Sequence, residues 1–136
     1  MKHKGNYFEY RDERDADLLR AYRQHIVECD VIDIRRISQD VVNMPASRFW
    51  VSEERAIAII RKMKKHRPLY GMRPLLMEMY HEIYRRVSAL ETKHPEWSLF
   101  KVVFHAVRQP APKFYLTPES ARVIMYKAKK RKINRK

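Results

Sequence analysis

The sequence predicts a mostly α-helical chain, a single domain of two fused divergent helical repeats, and three observations predict it. Residues 45–65, PASRFWVSEERAIAIIRKMKK, and residues 110–130, PAPKFYLTPESARVIMYKAKK, align without a gap at an offset of 65, with nine of 21 positions identical. A doubled block implies a doubled structural unit. Two glycines against seven prolines disfavour tight hairpins and suit helices joined by proline-marked turns. Apolar residues also recur at helical spacing through most of the chain. The expected organisation is one domain over 1–136, with a first repeat at 15–65, a connection at 66–74, a second repeat at 75–130 and a basic tail at 131–136.

Residues 1–12 are polar and read as frayed. A first helix is expected to start near Asp15, with Asp15 and Asp17 complementing its positive end and Leu18, Leu19, Tyr22 and Ile26 forming its apolar stripe. Asp30 or Asp33 caps a second helix carrying Ile34, Ile37 and Val41, which stops before Pro45. RFWVS and KFYLT alternate like short extended segments, Phe49 and Val51 on one face and Phe114 and Leu116 on the equivalent face. A small two-stranded pairing of these segments across a pseudo-dyad is expected. Ser52 and Thr117 then cap the helices that follow, with Pro118 at a first helical position. The proline-rich HRPLYGMRP is the join. A long amphipathic helix through Leu76, Met79, Ile83, Val87 and Leu90 comes next, and Ser98 caps LFKVVFHAVRQ.

The charge is the strongest functional signal. The chain carries 30 Lys and Arg against 16 Asp and Glu, a net +14. Residues 97–136 hold eleven of the cations and a single acid, Glu119. Such a surplus repels itself unless a polyanion shares it, which points to nucleic acid before an anionic membrane. Cys29 stands alone, which excludes an intramolecular disulfide and suits a reducing compartment. No run of apolar residues approaches the ~20 of a membrane span. The expected location is cytoplasmic, nucleoid-associated, or nuclear in a eukaryote.

Catalysis finds no support. His81-Glu82 opens like a zincin helix, but Arg85 stands where the second histidine belongs. His25 and His105 lie near apolar helix faces and read as hydrogen-bonded structural histidines. No glycine-rich phosphate loop, nucleophile elbow or activated cysteine occurs. The expectation is a non-enzyme without cofactor or metal.

The candidate nucleic-acid-binding residues fall in three sets. Arg48 with Trp50 and Lys113 with Tyr115 pair a cation with a flat ring on the outward face of the extended segments; the alternative places both rings in the core. Arg55, Arg61, Lys62 and Lys65 lie on the helix after the first segment, and Arg122, Lys127 and Lys130 on its counterpart. The tail adds Lys129, Arg131 and Lys132 as sequence-independent phosphate contacts.

The run DIRRISQDVVNMPASRFW is similar to the second helix and turn of a helix-turn-helix, which would make the helix after Ser52 a recognition helix. Its turn carries no glycine, and 45–51 exceeds the usual three or four residues. An extended segment leading through a cap into a helix also resembles the ribbon-helix-helix repressors, although no helix follows Ala128 to complete that fold. The expected function is non-catalytic binding of nucleic acid, DNA before RNA. The alternatives are an adaptor docking protein partners through the duplicated surface, and an RNA-binding protein. The oligomeric state is not encoded in any recognisable pattern.

Overall fold

The computed structural model describes residues 2–134, with side chains placed over 10–131. Among the described residues the chain is mostly helical and contains no strand: α1 (Lys2–Val27), α2 (Ile34–Val41), α3 (Glu53–Lys64), α4 (Pro74–Lys93), α5 (Leu99–Val107) and α6 (Pro118–Asn134). Local chemistry sets most of these boundaries. The side chains of Asp33, Ser52 and Ser98 accept the backbone N–H of Arg35, Arg55 and Lys101, which caps α2, α3 and α5. Thr117 accepts the Ser120 N–H at 3.1 Å, and prolines occupy the first positions of α4 and α6. At the end of α3, His66 adopts a left-handed φ of 55° and the Arg67 N–H returns to the Lys62 carbonyl at 2.9 Å. That is a Schellman closure, built on histidine where glycine is usual.

Two ends differ from the sequence expectation. α1 starts at Lys2 rather than near Asp15, because no proline interrupts 2–27. Asp15 and Asp17 are therefore interior helix residues, both buried, held by Arg14 and Arg20 respectively. At the other terminus α6 runs on to Asn134, so the predicted tail at 131–136 is helical through 134. Its apolar stripe continues through Met125 to the buried Ala128, and Arg131 is ion-paired with Asp12 and Asp15. Those contacts hold the last turns in the helix despite their charge.

The chain divides into two compact units whose membership does not follow chain order. Unit 1 comprises Met1–Ala46 and Ala111–Lys136; unit 2 is Ser47–Pro110. In unit 1, α1, α2 and α6 pack together around Leu18, Tyr22, Ile37, Val41, Ala121 and Met125. In unit 2, α3, α4 and α5 enclose Phe49, Ile60, Tyr80, Ile83, Val102 and Val107. Each trio therefore takes its third helix from the other half of the chain, unlike contiguous repeats at 15–65 and 75–130. The backbone shows how. The Phe49 N–H donates to the Val107 carbonyl at 3.0 Å, which draws the start of α3 onto α5. The Phe114 N–H donates to the Val42 carbonyl at 3.0 Å and draws α6 onto α2.

The expected two-stranded pairing reduces to one antiparallel bridge in unit 1, where Ala46 and Ala111 exchange two 3.0 Å hydrogen bonds. Beyond it, RFWVS and KFYLT are irregular. The Val51 N–H turns back to the Phe49 carbonyl, and Tyr115 takes φ 58°, which no strand residue adopts.

Two buried tyrosines make stability depend on alkaline pH. Burial pushes the Tyr22 hydroxyl above its usual 10.0, against the opposing effects of its hydrogen bond with Ser38 and the nearby Arg122. Burial also raises Tyr80, opposed by Arg55. The folded protein holds both protons more tightly than the unfolded chain, so this stability is full below about pH 10 and is lost as pH rises through the folded values. Urea unfolding followed between neutral pH and pH 11 should show that fall. Tyr22→Phe and Tyr80→Phe should each flatten it, and a slope unchanged in both variants would assign it elsewhere.

Candidate nucleic-acid interface

The aromatic-cation pairs at 48–50 and 113–115 are largely withdrawn from solvent, with Arg48 and Tyr115 enclosed and Trp50 and Lys113 half-buried. The Arg48 side chain is only 11% exposed. Its guanidinium donates to the Phe49 carbonyl at 3.0 Å and the Val51 carbonyl at 2.9 Å, lies 3.7 Å from the Glu53 carboxylate, and covers the half-buried Trp50 ring. Tyr115 is 7% exposed, with the Lys113 ammonium 5.6 Å from its ring centre. The reading of Arg48 and Tyr115 as outward contacts is thus replaced by a structural one. A turn without strand hydrogen bonds leaves carbonyls to satisfy, and Arg48 serves that of Val51 while adding a second donor to that of Phe49.

The helix cations divide in the same way. Arg55 is exposed on the first turns of α3 but lies against the Tyr80 hydroxyl. Arg61, Lys62 and Lys65 are exposed, and their i, i+1, i+4 spacing gathers them on one side of α3 and its C-cap. Lys64 beside them is tied to Glu91 at 2.8 Å. In unit 1, Lys127, Lys129 and Lys130 are exposed along α6. Arg122 is half-buried, Arg131 is engaged by Asp12 and Asp15, and the Lys132 side chain lies outside the described residues. Six of the predicted residues therefore remain as exposed cations on two helices, three in each unit.

Sequence reasoning missed two surface features. Tyr126, 53% exposed, shares the outward face of α6 with Lys127 and Lys130, so an aromatic-cation face exists there rather than at Tyr115. The i, i+1, i+4 spacing on α6 carried that signal. The second is on α5. Trp97 stacks between His94, at 3.8 Å between ring centres, and His105, at 4.8 Å. Lys101 lies over Trp97, Arg108 lies 3.9 Å over Phe104, and Phe100 is 56% exposed. His105 is consequently a surface residue in a ring stack, whereas the sequence reading assigns it to a structural hydrogen bond. His25 does make one, to Asp40 at 3.0 Å.

Among the described residues no group of three His, Cys, Asp or Glu is arranged to hold a metal, and no helix is long and apolar enough to cross a membrane. No family model, curated protein or solved structure matches the chain.

Proposed function

We propose that this chain is a non-catalytic nucleic-acid-binding protein whose contacts are made by exposed helix cations, with double-stranded DNA as the preferred ligand. One observation carries the reading. Arg61, Lys62 and the C-cap Lys65 of α3, and Lys127, Lys129 and Lys130 on α6, are solvent-exposed, and none of the six is ion-paired among the described residues. Several acids that could offset them are spent elsewhere, Asp15 and Asp17 on Arg14, Arg20 and Arg131, Glu53 on Arg108, and Glu91 on Lys64. Bare cations on rigid helices release counterions when they meet phosphates, and this gives affinity without base recognition. Compared with the sequence reading, the contacts move from the aromatic segments to the helices.

The two cation sets belong to one design in this proposal. α2 and α5 begin 65 residues apart, as do α3 and α6, and the Phe49 and Phe114 backbone bonds obey the same offset. Divergent copies of one ancestral unit account for this, and the duplication supplies two phosphate-binding helices in one chain. Where both engage one duplex, the second contact is intramolecular and tightens binding. A second reading, an adaptor for protein partners, is favoured by the exposed Phe100 on α5.

Titrating the intact chain against duplex DNA and single-stranded RNA at two salt concentrations tests the proposal. Affinity for duplex should fall at least tenfold between the lower and higher salt, with log K linear in log salt. Lys127→Gln, Lys129→Gln and Lys130→Gln together should weaken duplex binding about tenfold and lower the salt slope by about three at most. Absence of binding at low salt would end the nucleic-acid reading and leave the adaptor.

A further inference from the structure

Unit 1 contains an open cleft of about 400 Å³ between α2 and α6, lined by Arg35, Ser38 and Gln39 from α2 and by Pro118, Glu119 and Arg122 from α6. From this cleft we infer that unit 1 holds a seat for a phosphate ester, with Arg35 and Arg122 as the two guanidinium clamps. The inference deepens the nucleic-acid reading and rests on it for the source of the ester, a phosphodiester of the bound strand.

Two observations carry it. The first is the chemistry of the lining. Neither Arg35 nor Arg122 is ion-paired with a carboxylate among the described residues, and although Arg122 is half-buried near the Tyr22 hydroxyl, both line the cleft as guanidinium donors for phosphate oxygens. The Ser38 hydroxyl is occupied by Tyr22 and takes no part. One carboxylate, Glu119, faces the same cleft, leaving two cations against one anion. The volume exceeds what a bare anion fills and falls in the range of sites that enclose small organic ligands, roughly 300–1,000 Å³. An ester brings hydroxyl and amino groups as well as phosphate, and Gln39 is an acceptor for those.

The second observation is internal to the chain. Shifting the six lining positions by 65 gives Phe100, Val103, Phe104, Glu53, Glu54 and Ile57, on α5 and α3 of unit 2. There the place of Arg35 is taken by phenylalanine and that of Arg122 by buried Ile57, and Pro118 is replaced by a second acid. Arg108 lies over Phe104 and closes the position with an ion pair to Glu53. The equivalent positions are thus mostly apolar and acidic in unit 2, with the acid at 53 paired to Arg108, and arginine-bearing around an open cleft in unit 1. Phe100 and Ile57 meet the packing need at these positions, so the shared packing does not call for the arginines at 35 and 122, which fit the proposed phosphate contact.

Calorimetric titration of the intact protein with inorganic phosphate, adenosine monophosphate and a short DNA duplex tests this, using wild type, the double variant Arg35→Gln/Arg122→Gln, and Lys62→Gln/Lys65→Gln in unit 2. The arginine variant should lose at least tenfold in affinity for adenosine monophosphate and weaken duplex binding severalfold, with a salt slope smaller by about one to two. The lysine variant should weaken duplex binding only. Duplex binding that ignores the arginine substitutions, together with no arginine-dependent binding of the monophosphate, overturns the seat while the nucleic-acid reading stands. Arginine-dependent binding of the monophosphate without duplex binding supports the seat, makes a free nucleotide its source, and ends the nucleic-acid reading. Glu119→Gln is exposed and keeps the fold out of the comparison; it should tighten monophosphate binding severalfold, and an unchanged affinity would count against the seat.

Discussion

Asp15→Ala is expected to destabilise the protein by about 2–4 kcal/mol. The Asp15 side chain is 4% exposed in the middle of α1, where its carboxylate accepts from the Arg14 guanidinium at 2.9 and 3.1 Å and from Arg131 at the far end of α6. A buried carboxylate survives only while its charge is balanced. Removing it leaves two arginines crowded at one site, one of them separated from its partner by 116 positions in sequence. Arg131→Gln should cost less, about 1–2 kcal/mol, because Arg14 remains and the Arg131 side chain is one-third exposed. The effect also separates two roles. A cation serving only phosphate would change affinity and leave stability alone, whereas this pair predicts loss of stability without any ligand present. Urea unfolding monitored by circular dichroism reads the difference, and a loss under about 0.5 kcal/mol for Asp15→Ala would remove Arg131 from the architecture and return it to the interface. It follows that shortening the chain after Tyr126 is a poor test of the basic end, since the cut removes buried Ala128 and Arg131 together. Substitution of the exposed lysines avoids this.

Much of the helical frame was legible because its signals are local. Ser52, Ser98, Asp33 and Thr117 cap helices at the positions their side chains favour, and the prolines at 74 and 118 stand at helix starts. What was not legible depends on distant residues or on degenerate patterns. Alternation over five residues, as in RFWVS, is shared by a strand and by an irregular turn, and nothing within it reports that Arg48 will bond the turn's own carbonyls. The choice of third helix is also non-local. α3 and α6 present similar apolar faces, and the selection rests on the Phe49 and Phe114 backbone bonds to the ends of α5 and α2. In α1 the acids at 15 and 17 resemble caps, and only the arginines that surround them in the fold show that they are interior. As for the candidate site, exposure decided it. The cations at 61, 62, 65, 127, 129 and 130 kept their place because lysine and arginine on an outward helix face stay in water, while Arg48 and Arg131 found partners that no periodicity reveals.

Arg48→Ala is expected to cost about 2–4 kcal/mol and to leave nucleic-acid affinity of the folded protein within about twofold of wild type. The loss comes from hydrogen bonds left unmade. Two carbonyls of a turn that pairs with no strand, those of Phe49 and Val51, are served by the Nε and Nη2 of one guanidinium, whose side chain is 11% exposed. The Phe49 carbonyl keeps the Val51 N–H, but the Val51 carbonyl loses the side-chain donor that serves it, and Val51 is nearly buried, so water has poor access to the vacated site. The Glu53 carboxylate at 3.7 Å keeps Arg108 and loses a second cation, and Trp50 loses the group that covers it. Arg48→Lys should recover less than half of the loss, because an ammonium is a point donor and lacks the planar fork that reaches two carbonyls in different directions. An interface role predicts the reverse pattern, in which lysine serves a phosphate nearly as well as arginine and alanine weakens DNA binding with stability intact. Measuring unfolding free energy and duplex affinity for both variants distinguishes the two. A stable Arg48→Ala protein with weakened DNA binding would restore the turn as a contact surface, and with it the aromatic segments as the place where the chain meets its ligand.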